Sequence, residues 1–197
     1  MIFFKEFKDN WTKLAVLSLL VLLIVEWVAK YDTVQRQMAL SITNIAAIAI
    51  FYIVYLKLKN KYQIILPGYI AWVIAFGVWL DAAGNFAHFY ANYTWYDDFT
   101  HFVGSMSIAI PLFYVFYQLS QKGFIKLGRF NIAMYAVSLT MLLVSVYEIS
   151  EWVGDLLFET YRITGRFDTA SDLFYNFLGA LLPVLLGVWL MRKKENV

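Results

Sequence analysis

Six apolar stretches alternate with short polar connectors along the whole chain. They cover roughly residues 13–29, 38–57, 63–83, 99–119, 130–153 and 172–191. A helix needs about 20 largely apolar residues to cross the hydrocarbon core of a bilayer. The pattern therefore predicts an all-α polytopic membrane protein with six transmembrane helices in one bundle. The connectors are too short for a second domain, so we expect residues 1–197 to form a single transmembrane domain.

Composition supports a membrane protein and excludes several other classes. Of the 197 residues 61% are hydrophobic and only 15% are charged, whereas a soluble domain has about 25% charged residues. The lipid bilayer is therefore the expected partner. A net charge of +2 is too small to indicate nucleic-acid binding. The absence of cysteine excludes disulfides and thiolate metal ligands.

The basic residues predict an orientation in the membrane. Twelve of the sixteen Lys and Arg residues lie near the N-terminus, in the second and fourth connectors and in the C-terminal tail. Basic connectors stay in the cytoplasm. We therefore expect a multi-pass protein of the cell membrane with both termini in the cytoplasm.

Three short acidic clusters lie at the ends of apolar stretches, all on the predicted outer side. They are Asp97-Asp98-Phe99-Thr100-His101, Glu148-Ile149-Ser150-Glu151 and Asp168-Thr169-Ala170-Ser171-Asp172. Ionisable side chains at hydrocarbon depth are costly unless they are partnered, hydrated or bound to a metal. The clusters are therefore the candidate functional site, in one layer of the outer leaflet.

The spacing within each cluster predicts a metal site. Acids and His101 are three or four residues apart, which places them on one face of a helix. Converging carboxylates repel each other unless a cation lies between them, and helical bundles build carboxylate–histidine metal sites from such pairs. Oxygen ligands with an imidazole suit Zn, Mn or Fe(II). The predicted metal ligands are Asp97, His101, Glu151, Asp168 and Asp172.

Two acids are predicted to act in catalysis, and four polar residues are predicted to support the metal ligands from the surrounding shell. Glu148, inside an apolar helix, is the predicted general base, and Asp98 is the second catalytic candidate. The supporting residues are Asn176, one turn after Asp172, and Asp81, Asn85 and His88 along one face of the third helix.

Some of these residues also have simpler explanations. Asp97 and Asp168 each precede an apolar run, where a carboxylate caps free backbone N–H groups. Glu26 is interpreted as an interfacial charge within reach of Lys30.

Residues near the outer connectors can likewise be explained without a functional site. Glu151 and Asp155 have Arg162 and Arg166 of the outer loop as possible ion-pair partners. His88 lies in an aromatic stretch typical of an interfacial belt.

The three clusters together resemble a known family. Asp97-Asp98-x-x-His101-Phe102-Val103-Gly104, Glu148-x-x-Glu151-Trp152 and Asp168-x-x-x-Asp172-x-x-x-Asn176-x-x-Gly179-Ala180 look like the YjdF-type family of uncharacterised bacterial membrane proteins. More distantly they resemble the VanZ-like family, named for glycopeptide resistance. The resemblance covers residues 81–183 and implies a shared polar site at the outer face, without an established reaction.

This chain departs from the VanZ-like pattern at two positions. VanZ-like proteins usually show Asp-Lys-x-x-His and Glu-x-x-Gln, where this chain has Asp98 and Glu151. The departures make the site more acidic and favour a metal.

Two classes of function follow from the sequence. The first is a divalent-metal site that acts on a lipid or cell-envelope precursor. The second is a small-cation or proton-coupled transporter, or a non-enzymatic envelope-binding protein, whose buried acids are the functional groups. The inner halves of the last two helices carry few polar residues, which disfavours transport.

Overall fold

The computed structural model of the protein is all-helical over the part of the chain that it describes. It describes residues 2–28, 34–163 and 165–195, without the side chains of 2–9, 35, 36, 39, 40, 43, 47 and 193–195. The helices are α1 (Ile2–Val28), α2 (Val34–Tyr62), α3 (Gly68–Phe86), the single-turn α4 (Phe89–Asn92), α5 (Tyr96–Gln121), α6 (Arg129–Phe158) and α7 (Asp168–Glu195). The predicted all-α fold is confirmed.

Five helices of the described residues are long and apolar enough to cross a membrane: α1, α3, α5, α6 and α7. The sequence predicts six spans. The second of them, 38–57, lies within the 29-residue helix α2, several of whose side chains are outside the described part. Helical backbone is expected in these segments, because backbone N–H and C=O groups in lipid must be satisfied within the segment.

The chain divides into two compact units. Unit 1 comprises residues 1–97 and 154–162, and unit 2 comprises residues 98–153 and 163–197. In unit 1, α1 packs on α2 and α3. Its core has apolar residues at helical spacing, namely Ala15, Leu19 and Leu22 of α1 with Ala71, Ala75 and Ala82 of α3. The small side chains of α3 allow the helices to approach closely.

Unit 2 contains all of α7, nearly all of α5 and most of α6. Its core is formed by Ala109 of α5, Ala136 of α6, and Ala180 and Val184 of α7, so each helix contributes an alanine. Gly179 lies directly against the backbone of Phe102, where an added Cβ would clash with the Phe102 carbonyl group. These small residues bring the three helices together and thereby fix the positions of the polar residues at one end of the unit.

Candidate metal site

Each helix of unit 2 continues its buried apolar face with polar side chains. On α6, Thr140, Val144 and Glu148 are buried at intervals of four residues. On α7, the buried Asp172 and Asn176 precede Ala180 by two turns and one turn. On α5, the buried Ser105 precedes Ala109 by one turn, and His101 lies one turn earlier. The same helix packing that builds the core therefore brings these polar groups together.

His101 lies between two carboxylates. Its Nδ1 atom is 3.4 Å from Oε1 of Glu148, and its Nε2 atom is 3.5 Å from Oδ1 of Asp172. Both acids are almost completely buried, with 4% and 3% of their surfaces exposed. Two carboxylates in such an environment need hydrogen-bond donors or a cation on each side of the ring.

Asn176 distinguishes the two sides of the imidazole. Its Oδ1 accepts a hydrogen bond of 2.6 Å from the Ser105 hydroxyl, which orients the amide. The amide nitrogen then lies 3.3 Å from Nδ1 of His101 and donates to Glu148 Oε1 at 3.4 Å. Because the hydrogens of an amide NH₂ carry positive charge, they disfavour a cation on the Nδ1 side. A cation fits better on the Nε2 side.

Asp172, on the Nε2 side, is part of a candidate ligand set. Asp97, His101 and Asp172 each offer a ligand atom, and these atoms all lie within 4.8 Å of one another. Asp97 lies one turn before His101 on α5. Two ligands that bind one ion tetrahedrally at about 2.1 Å are about 3.4 Å apart. The 3.5 Å between Nε2 and Asp172 Oδ1 matches that separation.

Three other predicted site residues of unit 2 are close in sequence to Asp97, His101 or Asp172 or to Glu148. They are not part of the Asp97–His101–Asp172 ligand group. Asp98 accepts a hydrogen bond of 2.8 Å from the Ser171 hydroxyl of α7. Asp168 lies in the first turn of α7, where a negative charge favours the helix. Glu151 is buried and follows Glu148 on α6 by three residues.

Asp81, Asn85 and His88 belong to unit 1, and the predicted helical face that joins them is interrupted. Asp81 accepts a hydrogen bond of 2.8 Å from the Tyr90 hydroxyl, and the Asn85 amide donates to the Asp81 carbonyl. Helix α3 ends at Phe86, and the exposed His88 has a left-handed backbone with φ of 57°. The chain therefore turns before His88, which does not share the α3 face with Asp81.

The structure describes two acids that have simpler explanations and shows one residue that the sequence pattern did not indicate. Glu26, interpreted as interfacial, is completely buried, and its predicted partner Lys30 lies outside the described residues. Asp155 accepts hydrogen bonds from the backbone N–H of Arg162 at 2.9 and 3.0 Å. Ser105 is the residue that sequence reasoning missed, although its position one turn after His101 on α5 was a usable signal.

A pocket of about 380 Å³ lies beside Glu148. Its lining, mostly apolar, includes Ser145, Ile149, Trp152, Thr169 and Leu173 from α6 and α7. Ile149 and Trp152 are more than half exposed at the surface of a helix that can span a membrane. Glu148 thus borders a largely apolar pocket.

Comparison with known families places the chain in one of them. Residues 12–193 match the family model described as "Predicted membrane protein (DUF2238)". Comparisons with curated proteins and with solved structures found no significant match. The match covers nearly the entire chain, including all three acidic clusters, and so the protein belongs to the predicted membrane protein family DUF2238.

Proposed function

We propose that this protein binds a divalent metal ion through Asp97, His101 and Asp172 and uses it on a lipid or cell-envelope substrate. The observation that carries the proposal is the geometry of His101. Its Nε2 atom faces Asp172 at a spacing typical of two metal ligands, while its Nδ1 atom faces Glu148. Asp97 completes a group of three ligand atoms.

The ligand types restrict the metal. One imidazole and two carboxylates suit Zn, Mn or Fe(II), and the two negative charges balance a dication. Three protein ligands leave a position for water or substrate, as in catalytic zinc sites. A metal held by Asp97, His101 and Asp172 would supply polarisation of a carbonyl or phosphoryl oxygen and would lower the pKa of a bound water.

Glu148 has a role in this proposal through two contacts. Metal-bound histidines commonly donate their second ring N–H to a carboxylate, which fixes the ring and its tautomer. Glu148 Oε1 lies in that position at Nδ1. Because Glu148 also lines the pocket, it is placed to act as the predicted general base towards a molecule bound there. Asp98 remains the second acid proposed for catalysis.

The lipid substrate is supported by the pocket and by the charge pattern. The pocket beside Glu148 is mostly apolar and lies on helices that can span a bilayer. The distribution of basic residues favours an outer-leaflet location for this end of unit 2. The resemblance to YjdF-type and VanZ-like proteins points to the same polar site at the outer face. The two additional acids, Asp98 and Glu151, increase its negative charge.

The same contacts support a second candidate, a proton-linked site without metal. An imidazolium at His101 would donate one N–H to Glu148 and the other to Asp172, and both carboxylates would then be paired. Buried acids of this kind are the groups that proton and cation transporters use. Metal content separates the two candidates.

Elemental analysis of the purified, detergent-solubilised protein tests the proposal. We expect about one Zn, Mn or Fe per chain in the wild type and its loss in Asp172→Asn, which removes a charged ligand. Asp98→Asn is the matched control, because it removes the same charge from an acid that is bonded to Ser171. A metal-free wild type that binds none of these metals on titration would overturn the proposal.

A further inference from the structure

The pocket beside Glu148 is a groove between one face of α6 and one face of α7. Its lining residues from these helices are Ser145, Glu148, Ile149 and Trp152 of α6 and Thr169 and Leu173 of α7. The α6 residues follow the i, i+3, i+4, i+7 spacing of one helix face, and the α7 residues are one turn apart. Ile163, from the segment between the helices, also lines it. We call this pocket the α6–α7 groove, and all of its lining belongs to unit 2.

The α6–α7 groove is open to the lipid side of α6. Ile149 and Trp152 have 58% and 57% of their surfaces exposed, and both lie on a helix that can span a membrane. The surroundings of an exposed side chain on such a helix are hydrocarbon rather than water. A molecule that enters the groove from this side therefore comes from the bilayer.

The size of the groove restricts its occupant. The cavity volume is about 380 Å³, near the lower limit of ligand pockets, about 300–1,000 Å³. Two turns of an α-helix, about 11 Å long and 10 Å across, fill roughly 850 Å³. A helix of a second copy or of another membrane protein does not fit into this space. A single hydrocarbon chain is narrow and flexible enough to enter.

The direction of the groove matches that of a lipid molecule. Ser145 lies near the middle of α6, which extends from Arg129 to Phe158, and Trp152 lies closer to its end. Tryptophan is typical of the membrane–water interface. Thr169, at the same end of the groove as Trp152 in this sense, is the second residue of α7. A lipid in this direction has its polar part near Trp152 and its chain towards Ser145.

We propose that the α6–α7 groove binds one acyl chain of a membrane lipid, which enters sideways from the bilayer. The first part of the chain contacts Ile149 and Leu173, and the linkage between chain and headgroup lies beside Glu148. Glu148 is buried between the middle and the end of the groove and also contacts His101. The inference deepens the proposed function and rests on it for the role of Glu148, because it names the part of a lipid substrate that the protein recognises. Binding of the chain itself requires no metal.

Photolabelling of the full-length protein in lipid nanodiscs tests the groove. The nanodiscs contain phosphatidylcholine and a small fraction of phosphatidylglycerol whose acyl chain carries a diazirine, and mass spectrometry locates the label after irradiation. We expect several-fold more label at Ile149 and Leu173 than at Val146. Val146 is exposed to a similar extent as Ile149, with 56% of its surface, but does not line the groove. It therefore reports random contact with lipid.

Variants that fill the groove give the second measurement. We expect a several-fold loss of label at Ile149 in Leu173→Trp, because the indole occupies the space of the chain. Val146→Trp is the matched control and should keep the wild-type label at Ile149. Ile149→Trp, at an exposed position that tolerates a large side chain, fills the groove without a change on α7 and should lower the label at Leu173. Equal labelling of Val146 and Ile149 in the wild type, or unchanged labelling of the groove in the filled variants, would overturn the proposal.

Metal content, measured on the same samples, separates this inference from the proposed metal site. Preferential labelling of the groove in a protein without bound metal would uphold the acyl-chain site and would count against the metal. Even labelling of all lipid-facing residues in a metal-loaded protein would overturn the acyl-chain site alone.

Discussion

Nδ1 of His101 on α5 lies 3.4 Å from Oε1 of Glu148 on α6. The contact joins two helices of unit 2 through the ring nitrogen opposite Asp172. In the proposed metal site this places Glu148 one shell away from the ion, where it orients the imidazole. A residue in that position affects metal affinity without being a ligand, and this distinction can be measured.

Glu148→Gln should weaken metal binding by about 10- to 100-fold, the effect typical of residues that orient a metal-bound histidine. The amide oxygen can still accept from Nδ1, but it provides no negative charge. We also expect a lower melting temperature. Metal titration followed by calorimetry measures the affinity. A variant that melts above the wild type, combined with no stoichiometric metal in either protein, would contradict the metal site, because removing one of several repelling charges would then be the main effect.

Chelator should lower the melting temperature of the wild type. A ligand that binds only the folded state stabilises it by about 2.7 kcal/mol at a concentration of 100 times its Kd. For a chain of this size each kcal/mol corresponds to about 2–4 °C, so the expected shift is roughly 5–10 °C. His101→Ala, which lacks the central ligand, should show no chelator response. An equal shift in the variant would attribute the effect to another site.

The lengths of the apolar stretches were enough to predict the helices, because a membrane span is hydrophobic on all sides and needs no amphipathic period. The predicted helices ended too early: α6, for example, continues five residues past the expected end at 153. Asp155 lies in this added part of α6, and its carboxylate accepts from the Arg162 N–H of the segment that follows the helix. Hydropathy has no term for such contacts.

The sequence predicted which helix faces carry the candidate site, but not how the side chains on those faces meet. The order of the apolar stretches placed His101 and Asp172 in one layer, and their side chains lie 3.5 Å apart in the structure. The sequence could not show that Glu148 and Asp172 lie on opposite sides of the imidazole, because that depends on the rotation of each helix. The burial of Glu26 was not predictable for the same reason: its position near the end of an apolar run does not reveal which face of α1 is buried.

Reporter fusions should place the C-terminus in the cytoplasm and the segment after Asn92 outside. The expectation follows from the twelve basic residues at the termini and in the second and fourth connectors. A fusion after Phe124, in a basic connector, is the internal control and should report the cytoplasm. The reverse pattern would move the acidic clusters to the inner face and remove the basis for an outer-envelope substrate.

Asp155→Asn should loosen the segment that follows α6. Both carboxylate oxygens share the single Arg162 backbone N–H, and Oδ1 also accepts from the Thr160 hydroxyl. Hydrogen bonds to a charged group contribute about 1.5–3 kcal/mol, and an amide replaces them only in part. We expect faster amide hydrogen exchange at Arg162 and unchanged metal content. Glu159→Gln, an exposed change of the same charge in the same segment, is the control. Unaltered exchange at Arg162 in Asp155→Asn would show that the carboxylate does not hold this segment.

Gly179→Ala should destabilise the protein, whereas Gly104→Ala should not. A Cβ at Gly179 would meet the carbonyl group and Cα of Phe102, so α7 would have to move away from α5. Overpacking of this kind costs about 1–3 kcal/mol and here opposes contact with rigid backbone. A Cβ at Gly104 meets nothing within 4 Å, and alanine in a helix is about 0.5–1 kcal/mol more favourable than glycine.

Unfolding in detergent should therefore show a lower melting temperature for Gly179→Ala and an unchanged or higher one for Gly104→Ala. Because Asp172 and Asn176 lie on α7 within two turns of Gly179, the first variant should also lose metal affinity. Equal melting temperatures for the two variants would mean that α5 and α7 do not pack as closely as the contact between Gly179 and Phe102 requires.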